Sequence, residues 1–111
     1  MKTIEIYSAS REMVRAAVAA NRDEVITGTV YFGFTTDDSE PTPASMTAGT
    51  WYDTAPSIEE VDGKWQPAFV AQILVGSGGA VTLAEDEYFM WTRVDVGTQS
   101  IMKLAGKVKV L

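Results

Sequence analysis

Nine consecutive residues, Tyr88-Phe89-Met90-Trp91-Thr92-Arg93-Val94-Asp95-Val96, alternate between two kinds of side chain. In an extended strand successive side chains point to opposite faces. Tyr88, Met90, Thr92, Val94 and Val96 therefore share one face, and Phe89, Trp91, Arg93 and Asp95 share the other. An acidic turn, Glu85-Asp86-Glu87, leads into this run. The pattern is that of a late strand pair in a two-layer β fold, and it constrains architecture rather than chemistry.

The rest of the chain repeats the theme. Thr3 to Tyr7 alternates as a short strand, with residues 1–10 available as an N-terminal arm. Positions 11–20 are ambiguous. Ala, Arg, Glu and Met favour a helix capped by Ser8 or Ser10, whereas Val14, Ala16, Val18 and Ala20 alternate with Met13, Arg15, Ala17 and Ala19 as in a half-buried edge strand. The β pattern downstream tips the reading to strand. After a polar turn at Asn21 to Glu24, the β-branched and aromatic run from Val25 to Thr35 predicts a strand with Val30, Phe32 and Phe34 on one face. The acidic, proline-rich loop Asp37 to Pro43 ends it and is expected to be exposed.

The middle of the chain gives a weaker signal. Thr50-Trp51-Tyr52 reads as a short strand. Asp53 to Pro56 and Glu59 to Lys64 read as turns. Trp65 to Val75 resumes strand character, with Pro67 placed at an edge or at the strand entrance, where no ladder donor is needed. Gly76-Ser77-Gly78-Gly79 closes it. Gly97-Thr98-Gln99 is a short hairpin connection, and Ile101 to Val110 predicts a last strand with Leu104, Gly106, Val108 and Val110 inward and Lys103, Ala105, Lys107 and Lys109 outward. About seven strands separated by turns, in a chain of 111 residues, predict one domain over 1–111. The fold class is all-β, an immunoglobulin-like antiparallel β-sandwich.

Composition narrows the chemistry. With no Cys and no His, disulfides, thiolate metal sites, cysteine nucleophiles and imidazole acid–base catalysis are excluded. A net charge of −6 with scattered basic residues disfavours direct nucleic-acid binding and anionic membranes. No apolar run has the length of a membrane span, and a charge inside Met1 to Ile6 argues against a cleaved leader. The three acidic clusters, Asp37 to Glu40, Glu59 to Asp62 and Glu85 to Glu87, lack calcium-loop spacing and read as solvated loop tips. No catalytic, metal or cofactor site is expected, and the chain reads as a non-enzyme.

Two constellations remain. Leu83-x-x-Asp86-x-Tyr88-x-Met90 resembles the tyrosine corner of immunoglobulin domains, in which a Tyr at a strand start returns its hydroxyl to the backbone of the preceding turn. Met90 stands where antibody domains have a cysteine. Trp51, Tyr52, Trp65, Phe89 and Trp91 are the candidate partner-binding residues, against the ordinary alternative that small domains bury their tryptophans for packing.

The order of the pieces carries a further resemblance. Thr47-Ala48-Gly49-Thr50-Trp51, Phe69 to Gly76, Val81 to Ala84, Glu87 to Val94 and Leu104 to Val110 resemble a group of short immunoglobulin-like virion structural proteins of tailed bacteriophages and prophages, especially those of actinobacteria. Ser10 to Arg15 resembles their first strand. The resemblance implies a capsid decoration or minor capsid (cement) protein. Such a protein is made in the host cytoplasm and carried on the virion, where it binds the assembled major capsid protein or other virion proteins, alone or as a homo-oligomer. It brings no enzyme activity. Neighbouring expectations are a head–tail or tail accessory protein, or a carbohydrate or host-surface binding module. The chain departs from the group in its Glu85-Asp86-Glu87 turn and in the acidic stretch Ser57 to Lys64.

Overall fold

A computed structural model of the chain describes residues 3–19, 28–52, 57–61, 63–96 and 99–111. They form nine strands: β1 (Thr3–Ile6), β2 (Glu12–Ala19), β3 (Val30–Thr35), β4 (Thr47–Ala48), β5 (Thr50–Trp51), β6 (Ser57–Val61), β7 (Lys64–Val75), β8 (Asp86–Val96) and β9 (Gln99–Val110). One 3-10 turn, Pro43–Ser45, precedes β4. The expected strand at 25–35 begins only at Val30 among the described residues; its positions 25–27 and the polar turn at 21–24 lie outside them.

The strands make two packed sheets, an all-β sandwich. One has the order β1-β9-β8-β3-β4, with β1 parallel to β9 and the other neighbours antiparallel. The second has the order β2-β7-β5, with β6 also pairing β7. Residues 12–19 are a strand and not a helix: alternation outweighs propensity because Val14 and Ala16 are buried against the opposite sheet.

Cross-strand partners lie on the same face, so the registers define the core. In the first sheet Val30, Phe32 and Phe34 stand opposite Val94, Thr92 and Met90, and Tyr88 and Met90 stand opposite Val108 and Gly106. In the second, Val14, Ala16 and Val18 stand opposite Ile73, Ala71 and Phe69. Val14, Val30, Phe32, Met90 and Val108 are each 1% exposed and fill the space between the layers. Ile6 joins this core, so positions 3–6 belong to the sheet and are not a free arm.

A bulge interrupts the last hairpin. Met90 pairs with Gly106 but Trp91 pairs with Leu104, so Ala105 is the spare residue on β9. The expected alternation of β9 is corrected there. Val110, Val108 and Gly106 face inward, but Leu104 falls opposite Trp91 on the outer face, and Lys103 falls opposite Thr92 on the inner one.

The segment 59–64, expected as a turn, is strand at 59–61 and at Lys64 and turn at Gly63, with position 62 outside the described residues. Ser57 to Val61 is β6, paired with β7 from Ala68 down to Lys64. Only two residues separate Val61 from Lys64, and Gly63 has φ +79, the left-handed conformation a tight hairpin connection uses. The β2–β7 ladder stops at Ala19 and Ala68. Among the described residues the β6–β7 hairpin continues β7 past that pair, from Pro67 to Lys64.

Candidate functional site

The candidate contact residues are dispersed over three surfaces. Trp51 points into the sandwich, where its ring packs edge-on against Phe69 at 6.0 Å and its Nε1–H donates to the Gly28 carbonyl at 2.8 Å. Trp91 is on the outer face of the first sheet but only 8% exposed. Its Nε1–H donates to Thr35 Oγ1 at 3.1 Å, and that hydroxyl donates to the Asp37 carbonyl at 2.7 Å. Both indoles have their polar edge satisfied within the chain, which is what a packing role requires.

Trp91 owes its burial to a long-range arrangement. The loop after β3 folds back so that Pro41 is buried, and a Cβ on Gly33, the cross-strand partner of Trp91, would stand 2.8 Å from Pro41 Cγ and 3.3 Å from Met46 Cε. The loop expected to be fully exposed is thus exposed at Asp37 to Glu40 and seated at Pro41. Phe89 is half-buried on the same outer face with the Lys107 ammonium 5.1 Å from its ring centroid. Arg93 lies over the Tyr31 ring at 4.5 Å and approaches Asp95 at 3.7 Å.

Tyr52 and Trp65 remain outward. Tyr52 is 54% exposed, with the Arg15 guanidinium 4.2 Å over its ring. Trp65 is 71% exposed. It pairs with Glu60, and the neighbouring pair on the same hairpin face is Ile58 with Pro67. Ile58, 63% exposed, extends the apolar surface of Trp65. Sequence reasoning missed Ile58 because Glu59-Glu60-Val61-Asp62 reads as polar; the Asp62-Gly63 dipeptide between two pairing segments was the signal for a hairpin. Tyr52, Trp65, Glu59, Glu60, Lys103 and Leu104 also line an open cleft of about 1060 Å³ at the edge of the sandwich.

The other constellation is structural. Tyr88 Oη donates to the Ala84 carbonyl at 2.8 Å, four residues back, and ties the strand start to the turn before it. Met90, two residues on, is buried, Leu83 packs on the core and Asp86 is exposed. Partial burial pushes the Tyr88 phenol above its ordinary value; the Asp86 carboxylate adds to the rise, and the bond to Ala84 opposes it. Among the described residues no three acidic side chains converge as a metal site would need.

No family model, no curated protein and no solved structure matches this chain.

Proposed function

We propose that the protein is a non-enzymatic structural component of a tailed-phage virion, a decoration or cement protein that binds the assembled head through the β6–β7 hairpin. The observation that carries this reading is the exposure of Trp65 and Ile58, 71% and 63%, on one face of the β6–β7 hairpin, in neighbouring cross-strand pairs. A large aromatic held in water on a rigid two-stranded arm is the kind of anchor that dominates protein interfaces. Lattice binding suits such a small anchor, since a modest contact repeated over many copies stabilises only the assembled shell.

Connectivity supports the immunoglobulin-like part of the reading. β2-β7-β5/β6 follows the B-E-D order, β9-β8-β3 the G-F-C order, and β8 opens with the Tyr88 corner.

The test is co-sedimentation of the purified chain with intact capsids and with dissociated capsid subunits of the phage whose genome encodes it. The expected result is binding to the intact shell alone, lost in Trp65→Ala. Equal binding to free subunits, or none to either, refutes it. A second reading, glycan binding, draws on the cleft in which Trp65 and Tyr52 stand with Glu59, Glu60 and Lys103. Retention on a glycan array with no shell binding would favour it.

A further inference from the structure

Three aromatic rings of this domain each hold a cation supplied by the chain itself. The Arg15 guanidinium lies 4.2 Å over Tyr52, that of Arg93 lies 4.5 Å over Tyr31, and the Lys107 ammonium is 5.1 Å from the centroid of Phe89. At Tyr31 the arrangement has three parts, because Arg93 Nε also approaches Asp95 Oδ1 at 3.7 Å. The ring quadrupole attracts the guanidinium from one side and the carboxylate attracts it from another.

At Trp65 two of those three parts are in place. Its indole is 71% exposed, and its cross-strand partner is the exposed Glu60. Side chains directly opposite one another in an antiparallel pair have their Cβ atoms about 5 Å apart. Among the described residues neither group has a cation: no basic side chain lies over the Trp65 ring, and Glu60 makes no ion pair. Lys64 pairs with Val61 and so points to the opposite face of the hairpin. Lys103 lines the same cleft but reaches neither group. Glu59 differs from Glu60, being half-buried and accepting from Ser57 Oγ at 3.1 Å. One pair along the hairpin, Ile58, 63% exposed, and the half-buried Pro67 add an apolar shelf beside the indole.

We infer that this hairpin face receives an arginine-bearing segment of a partner protein. The guanidinium stacks on the free face of Trp65 and turns its donors to Glu60, as Arg93 does between Tyr31 and Asp95, while an apolar side chain next to the arginine packs on Ile58 and Pro67. Indole is the ring that attracts a cation most strongly, and a chain of net charge −6 draws a basic segment toward it. The inference rests on the proposed function only in taking the hairpin as the contact surface, and it adds the chemistry of what is contacted.

NMR of the indole N–H signals of the full chain tests it. The probe is a blocked tripeptide of leucine, arginine and leucine, and the comparison is its citrulline counterpart, which keeps the shape and loses the charge. The Trp65 signal is the one missing from Trp65→Phe. The expected result is a saturable shift of that signal with the arginine peptide, with a Kd on the order of 1 mM, weakening as salt is raised. Citrulline should weaken binding at least about fivefold and Glu60→Gln about two- to fivefold. The Trp51 and Trp91 signals, bonded to Gly28 and Thr35, should stay in place. No shift at roughly 20 mM peptide, equal binding of the citrulline peptide, or indifference to Glu60→Gln overturns the inference. So does a stronger response to an acidic peptide or to an oligosaccharide. Shell binding that is lost in Trp65→Ala but unchanged in Glu60→Gln keeps the capsid reading and overturns this one, whereas arginine-peptide binding without shell binding supports this one and refutes the capsid reading.

Discussion

Truncation of Met90 to alanine separates the core face of β8 from its outer face. Met90 is 1% exposed, stands between Phe34 on β3 and Gly106 on β9, and fills the space that Gly106 leaves open. Losing about three methylene equivalents at ~0.8 kcal/mol each gives about 2.4 kcal/mol of transfer energy. The cavity adds to this, because neighbours relax only partly, and the total falls at about 3 kcal/mol, inside the range of roughly 2–5 for buried Met→Ala. For a domain of this size that lowers the melting temperature by roughly 10–15 °C. Urea unfolding followed by circular dichroism and by tryptophan fluorescence measures it, and an unchanged m-value with a lower midpoint is expected. Trp65→Ala is the control: it deletes a larger side chain, but one that is 71% exposed, so its effect should stay within about 0.5 kcal/mol. A Met90→Ala cost below about 1 kcal/mol, or equal to that of Trp65→Ala, would mean that the even-numbered side chains of β8 do not form the core.

Tyr88→Phe should cost about 1 kcal/mol at neutral pH through loss of the bond to the Ala84 carbonyl. Because the folded-state value of Tyr88 lies above the unfolded one, its contribution is complete below the ordinary tyrosine range. It is lost as pH rises through the raised value, so the gap between wild type and variant, measured by urea midpoint, should close in alkali. Gly33→Ala should destabilise by about 1–3 kcal/mol, since the new methyl overlaps Pro41; a red-shifted Trp91 emission would register the lifted loop, and an unchanged midpoint would contradict the close approach. Trp51→Phe should cost about 2 kcal/mol in thermal unfolding, since it removes the bond to Gly28 and part of the packing on Phe69. A neutral result would place that indole outside the core.

The faces of β8 were legible because each inward position is apolar or Thr and each outward one is large or charged. β2 was legible by the same alternation despite its helix-forming alanines. Three features were not, each for a physical reason. Ala105 resembles any other outward residue, so the bulge that moves Leu104 to the outer face leaves no trace in the pattern. β6 is an edge strand with carboxylates at Glu59 and Glu60, and polarity disguised its extended backbone. The burial of Trp91 goes with a loop that seats Pro41 over Gly33, the cross-strand partner of Trp91, and local periodicity does not encode that arrangement. Tyr52 and Trp65 do present surface as partner-binding residues must, whereas Trp51 and Trp91 spend their indole nitrogens on Gly28 and Thr35.

The spare residue at Ala105 makes that position a point of length tolerance. Deleting it would leave Gly106 facing the core and Leu104 facing out, with the loss of only the packing that Ala105 itself makes against the core. What would change is the outline of the sheet, because a straightened β9 would offer an uninterrupted border from Gln99 to Gly106, the stretch that β1 does not pair. Shortening the chain by one residue there would leave that border free to pair with another strand.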